Sequence, residues 1–355
     1  MTGKTKIVFI ALFTLKSIGF GQVKYSNEFL NIGVGVRSAG MGNSVVASTN
    51  DITAGYWNPA SLIKLENNIE LGYQHSELFA GVANYDYGGM SFKIDDFSTA
   101  GFSYIRSGVD DIPDTRNLID ANGDINYDRI ESFSSIDDAF MFHYARKVGP
   151  PPLSIGGSVK IVRRKVGEFA NAIGFGVDLS AFYELEKVNL GLNFRDISGT
   201  WNAWDFNKEE LEEIFVLTNN EVPQNSIEIT VPQMVVGGGY MYQINDKFSF
   251  YPELNLSITF DGKRNTLIKS DFASIDPRFG VEASYQKIIF LRAGINGFQK
   301  VATIDDEEKW YSSPGIGVGV NFEKVAIDYA LTNIGGSSGF YTNSFFIRFE
   351  FNKRK

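Results

Sequence analysis

From Phe248 the chain alternates. Phe248, Phe250, Leu254, Leu256, Ile258 and Phe260 fall on one side of an extended backbone, and Ser249, Glu253, Asn255, Ser257 and Thr259 fall on the other. A period of two specifies a β-strand with one apolar and one polar face. The same pattern sets Ile173, Phe175, Val177 and Leu179 against Gly174, Gly176, Asp178 and Ser180. It sets Val325, Ile327, Tyr329 and Leu331 against Ala326, Asp328 and Ala330, and Phe345, Ile347, Phe349 and Phe351 against Arg348 and Glu350. Such runs predict about fourteen strands, over 67–75, 82–94, 97–108, 133–147, 153–166, 171–185, 187–197, 231–243, 246–260, 278–286, 288–297, 312–322, 324–332 and 342–351.

The connections between these strands sort into two kinds. Every second one is a tight turn, at Asp95-Asp96, Gly149 to Pro152, Glu186, Asn245, Lys287 and Glu323. The others include long loops at Val109 to Glu131, Ser198 to Thr230, Asp261 to Pro277 and Phe298 to Tyr311. An even strand number, with short turns on the periplasmic side and long loops outside, is the pattern of a bacterial outer-membrane barrel. In a soluble sandwich the loops would have no reason to alternate in length. The fold class predicted is therefore all-β, a transmembrane antiparallel barrel of about fourteen strands. Its apolar face meets lipid. Lys160, Asp178, Arg195, Glu253, Arg292, Asp328, Arg348 and Glu350 point into the lumen, where opposite charges can pair.

Composition supports this and excludes other classes. With 30 Phe and 16 Tyr the chain is richer in aromatics than a soluble core needs, and a net charge of −9 argues against a nucleic-acid partner. The absence of cysteine rules out disulfide staples. Lys4 and Lys6 precede a short apolar run from Ile7 to Leu15, and Gly19-Phe20-Gly21 supplies small residues before a cut ahead of Gln22. That is a secretory signal over residues 1–21. Its apolar core is shorter than the roughly 20 residues that span a bilayer.

One stretch has neither period. Between Phe29 and Leu65 glycines interrupt the apolar residues, and Pro59 constrains the Trp57-Asn58-Pro59 step. A compact, irregular, apolar segment needs walls, so residues 22–66 are expected to plug the barrel formed by 67–355. Tyr25 to Leu65 would lie inside it or at its periplasmic mouth. The small residues of Gly315-Ile316-Gly317-Val318-Gly319 are expected beside that plug, since no helix follows to make them a dinucleotide fingerprint.

The same stretch resembles the N-terminal signature of the PorV/PorQ family of outer-membrane barrels, within the FadL-like group. The matching residues are Ile32, Gly33, Gly35, Arg37, Gly40, Met41, Gly42, Asp51, Tyr56, Trp57, Asn58, Pro59 and Ala60, with Ser61 where the family usually has Gly. Further similarity lies in Ser154-Ile155-Gly156-Gly157 with Lys160, in Gly174-Phe175-Gly176 with Asp178, and in Ile327-Asp328-Tyr329-Ala330. The resemblance implies a non-enzymatic component of type IX secretion. Such a barrel would bind secreted cargo, the translocon or attachment-complex proteins, and its other contact would be outer-membrane lipid. A FadL-like uptake channel for hydrophobic small molecules, with the N-terminal segment as a hatch, is the alternative. Mixed charge and glycine at inward positions weigh for a closed scaffold.

Two loops carry candidate chemistry. Asp120, Asn122, Asp124, Asn126, Asp128 and Glu131 stand at the oxygen-ligand spacing of a calcium loop, but Ile125 occupies the position that needs glycine and no helices flank it. Calcium is thus the one cofactor the sequence raises, against an ordinary acidic loop. In Ser198 to Thr230, Trp201, Trp204, Phe206 and Phe215 are apolar enough to anchor a partner or to fold down as a lid, and Asn207 to Leu217 can form a short capped helix. His75 and His143 fall in predicted strands with no catalytic companions.

Overall fold

The computed structural model describes residues 26–119, 122–149, 152–217, 221, 223–302, 307–333 and 341–352. Its strands form one antiparallel sheet that closes on itself. They are β1 Ile69–Leu78, β2 Ala83–Lys93, β3 Ser98–Asp114, β4 Glu131–Lys147, β5 Leu153–Val166, β6 Ala170–Glu184 and the two arms of β7, Val188–Arg195 and Thr200–Phe206. There follow the two arms of β8, Ser226–Thr230 and Gln233–Tyr240, then β9 Phe248–Thr259, β10 Ser274–Tyr285, β11 Ile289–Ala302, β12 Glu308–Phe322, β13 Val325–Asn333 and β14 Tyr341–Phe351. Pairing of β1 with β14, from Ile69↔Phe351 to Glu77↔Asn343, completes the ring of fourteen. Closure removes the open edge that would strand backbone N–H and C=O groups in lipid.

Side chains follow the alternation. Ile173, Phe175 and Leu179 are exposed on the outside of β6, while Asp178 and Ser180 between them are buried inside. Phe345 and Phe349 face out from β14, and Phe346 faces in. Near the periplasmic end Phe97, Tyr144, Tyr183, Tyr242, Phe248, Phe322 and Phe351 are exposed, an aromatic girdle at the interface where such rings are favoured.

Several strands run further outward than the alternation predicts. β3 continues to Asp114 through a bulge between Val109 and Ile112, and β11 reaches Ala302 through another between Asn296 and Gln299. The two ends of the expected loop from Ser198 to Thr230 are wall. Thr200–Phe206 and Ser226–Thr230 pair with each other, and the helix Lys208–Leu217 caps the hairpin. Trp201 and Ile229 thus continue two strands beyond a local interruption.

That interruption is the main irregularity of the barrel. Arg195 is in register with Gln233, and Thr200 with Thr230. Asp196 to Gly199 therefore face Val231 and Pro232 with no ladder pairing. Asp196 and Gly199 take positive φ, 53° and 70°, and Pro232 has no N–H to donate. Adjacent strands break at one height, leaving a seam in the wall. On the other flank of β7, Ile197 N still donates to the Val177 carbonyl at 2.9 Å.

Residues 26–65 fill the lumen. They include the short helices Val36–Gly40 and Ala54–Trp57 and the 3-10 turn Pro59–Lys64. The hydrophobic core joins this segment to one side of the wall: Phe29, Leu30, Val34, Val36, Met41, Ile52, Tyr56 and Trp57 pack with Tyr85, Tyr87, Ile105, Met141 and Val162. The inner wall accordingly carries large apolar side chains along β2 to β5, interspersed with Ser103, Asp138, His143, Ser158 and Lys160. Mixed charge and glycine continue on β6 and β7, with Asp178 and Arg195, and along β9 to β14.

Candidate functional site

The plug is stitched to the barrel residue by residue. Gly42 and Gly40 let its backbone touch the wall: a Cβ at Gly42, where φ is +58°, would lie 2.8 Å from the Gly294 carbonyl carbon and overlap the Ile295 nitrogen. Gly40 meets Gly317, while Met41 lies on Gly280 and Gly294. Gly315 faces the Ala39 carbonyl, so the expected small-residue stripe of β12 lies against the plug. Gly33 packs under the Trp57 ring, whose Nε1 donates to the Val34 carbonyl at 2.7 Å, and Gly35 N donates to Gln74 at 2.6 Å. Asn58 donates to the Val46 carbonyl at 2.9 Å and the Ala181 carbonyl at 3.2 Å. Beyond Pro59, Ala60 N donates to Ser180 at 2.8 Å.

Ion pairs seal the periplasmic side. Arg37 grips Glu282 through Nε and Nη2 at 2.8 and 3.0 Å, and Arg292 shares the same carboxylate at 2.7 Å while also pairing Asp328. Burial opposes the Arg37 charge, but Glu282 outweighs it, and the guanidinium pKa is raised. Asp51 accepts from Arg348 at 3.0 Å, and Arg348 also holds Glu350 at 2.9 Å. Arg37 and Asp51 of the signature are thus charged clasps between plug and wall.

At the seam the clasp is of another kind. Lys160, fully buried, lies 2.9 Å from Asp178 and 2.6 Å from Asp196. Asp178 also accepts from the Asp196 N–H at 2.7 Å, and Thr200 donates to Asp196. Arg195 donates to the Leu30 carbonyl at 3.0 Å and lies 4.6 Å over the Tyr56 ring. Ser26 and Asn27 reach Glu228 and Thr230 at 3.1 and 2.8 Å. The described N-terminal end of the plug is therefore moored on both arms of the interrupted hairpin.

Chambers lie above and below the plug. Toward the exterior a chamber of about 150 Å³ shares Asn31, Asn43 and Asn296 with a second of about 260 Å³. The second shares Asn31, Gln233, Thr259 and Arg264 with a cleft of about 30 Å³ whose lining includes Asp196, Thr230 and Val231. Shared walls thus lead from the upper vestibule to the seam. On the periplasmic side a chamber of about 450 Å³ is lined by Arg37, Asp51, Glu282, Arg292 and Arg348, and it shares no lining residue with the upper three.

The loop candidates fare differently. Trp201 points out toward lipid and is 45% exposed. Trp204 stacks with Phe206, ring centroids 5.9 Å apart, and lies 5.0 Å from the Arg164 guanidinium on the inner side of the mouth. Phe215 is half-buried on the capping helix. Trp201 thus lies on the outer face of the wall, Trp204 and Phe206 on the inner face, and Phe215 on the helix, so the four do not form one exposed surface. In the acidic loop, Asp120 lies outside the described residues. Asn126 caps the turn Tyr127–Arg129, and Ile119 bridges Ile125. Among the described residues no group of three or more His, Asp or Glu gathers to hold a metal. His143, bonded to Ser158 and Ser103 at 2.7 and 2.9 Å, props the wall behind Gly55, and His75 pairs with Asp86 at 2.8 Å on the outer face.

No family model matches the chain, and no curated protein matches it. Solved structures do. The CymD monoaromatic hydrocarbon channel is 13% identical and superposes with a TM-score of 0.57 over 91% of this chain and 99% of its own. The Pseudomonas putida toluene transporter TodX, 13% identical, gives 0.53 over 89% of this chain and 96% of its own. A Pseudomonas aeruginosa FadL homologue, 13% identical, gives 0.51 over 90% and 98%. The chain has the fold of the FadL-like outer-membrane channels. It is an outer-membrane barrel, and the CymD and TodX neighbours are a channel and a transporter rather than enzymes.

The secretion reading does not survive this comparison. Proteins that share the fold over nine-tenths of this chain are a monoaromatic hydrocarbon channel and a toluene transporter, and Thr200–Phe206 and Ser226–Thr230 of the expected partner loop are barrel wall. The signature residues from Gly33 to Pro59 pack, cap and clasp a plug. They report that the barrel is plugged. The FadL-like part of the resemblance stands.

Proposed function

We propose that this barrel is a channel that takes small hydrophobic molecules from the cell exterior and releases them sideways through its wall. The observation that carries this reading is the run of adjoining chambers above the plug, which share lining residues and end beside the seam between β7 and β8. A straight route to the periplasm would have to break the Arg37–Glu282 and Asp51–Arg348 clasps and expose their charges. A sideways route needs only the unpaired segment Asp196 to Gly199 to part from Val231 and Pro232, where no ladder bonds are lost. The neighbours described as toluene transporters and a monoaromatic hydrocarbon channel support the substrate class.

The chain has no cysteine, so the seam can be stapled without a competing thiol. Thr200 and Thr230 are register partners at its upper edge, at the roughly 4.5 to 5.5 Å Cα separation of opposed antiparallel residues that a disulfide can bridge. In cells lacking other channels of this type, the barrel is expected to raise uptake of radiolabelled small aromatics above the empty-vector level. The oxidised Thr200→Cys/Thr230→Cys form should return uptake to that level, and a reductant should restore it. Uptake no greater than without the barrel rejects the channel, whereas full uptake by the stapled form rejects the sideways exit.

A further inference from the structure

We propose that the 260 Å³ chamber above the plug is a head-group site selecting amphipathic molecules that carry a neutral hydroxyl, in preference to plain hydrocarbons. The inference rests on the channel reading and narrows its substrate. The chamber is lined by Gln233, Ser257, Ser274, Asp276, Arg278 and Asn296 among others, and its wall side chains are polar almost throughout. A hydrocarbon entering it would strip water from these groups and return no hydrogen bond, which is costly.

The donors and acceptors present define what fits. Asp276 Oδ1 is buried and has no hydrogen-bond partner, while its Oδ2 lies 3.6 Å from Arg278 Nε. In the adjoining chamber Asn333 Oδ1 is likewise buried and unpartnered. Across the sheet from Asp276 stands its register partner Ser257, which takes a hydrogen bond from Gln233 Nε2 at 2.7 Å. A hydroxyl can donate to the free carboxylate oxygen while accepting from the neighbouring guanidinium, and a hydrocarbon can do neither. Charge favours a neutral head group. Arg264 is held by Asp261 at 2.6 Å and Arg278 stands beside Asp276, so the two cations are offset by two anions and no net charge awaits an ion.

The test compares two probes of equal skeleton, 4-butylphenol and butylbenzene, binding to the purified full-length barrel in detergent by calorimetric titration. The phenol is expected to bind about tenfold or more tightly, the scale set by one buried acceptor left unsatisfied. Asp276→Leu should bring the two affinities together, and Gln233→Leu should shrink the gap, with heat-modifiable migration verifying that each variant has folded. Asp276→Asn, which keeps an acceptor oxygen, should retain the preference. Equal or tighter binding of butylbenzene to the native barrel, a preference unaltered by Asp276→Leu, or no binding of either probe would each overturn the proposal. Uptake that persists in cells while this preference fails would reject the head-group site and leave the channel standing.

Discussion

Replacing Gly42 by Leu should prevent most of the protein from reaching the folded barrel. Any side chain here meets backbone: the new Cβ would overlap the Ile295 nitrogen and lie 2.8 Å from the Gly294 carbonyl carbon, and neither can swing away as a side-chain tip could. The wall strand itself is fixed by pairing on both sides, Gly294 with Gly280 and with Gly315. Position 42 also has φ +58°, which a branched residue adopts only with strain. Overpacking alone costs roughly 1 to 3 kcal/mol, and the strained φ adds roughly 1 kcal/mol or more. The plug would be driven from its seat, leaving Met41 and Val36 without their cover. The measurement is the fraction of heat-modifiable barrel and its unfolding midpoint in denaturant. An unchanged yield and midpoint would mean that the plug does not bear on β11.

Much of this architecture is legible in the sequence because lipid imposes a simple rule. A strand with hydrocarbon outside and a polar interior must alternate, so Ile173, Phe175 and Leu179 announce their face without help from any neighbour. The plug is legible from the opposite signal: from Phe29 to Leu65 apolar residues occur without a period, and glycines recur where backbones touch.

What escapes such reading depends on contacts between distant parts. Gly199 looks like a loop residue, yet Thr200, Asn202, Trp204 and Phe206 resume the inward row of the same strand. Pro232, facing it, gives the better clue, since a proline inside an alternating run marks a break in pairing. Tyr85, Tyr87 and Met141 look lipid-facing because they are apolar, but they pack on the plug, and only the presence of a filled lumen explains their direction. The upper chamber is assembled from β8, β9, β10, β11, the loop bearing Arg264 and the plug's Asn31 and Asn43. No local motif collects these residues. The signature that the sequence does display serves packing, which is why resemblance in it does not decide what passes through.

Lys160→Met should be the most damaging single change at the seam. Its ammonium is fully buried between Asp178 at 2.9 Å and Asp196 at 2.6 Å, so the variant leaves two carboxylates in the wall with only Arg195 nearby to balance them. Removing one partner of a buried ion cluster costs roughly 3 to 5 kcal/mol, because the charge left behind has lost both water and its counter-ion. Here the consequence is also directional. Asp178 anchors the Asp196 N–H, and Asp196 takes the Thr200 hydroxyl, so repulsion between the carboxylates pulls directly on the residues that shape the gap. The unfolding midpoint in denaturant should fall by an amount in that range. Adding Asp178→Asn, which removes one negative charge and keeps an acceptor for the Asp196 amide, should recover a measurable part of the loss. If instead Lys160→Met unfolds like the native barrel, Arg195 alone neutralises both carboxylates. The seam would then be held by its moorings at Ser26, Asn27 and Leu30, and stability would have to be sought by cutting those.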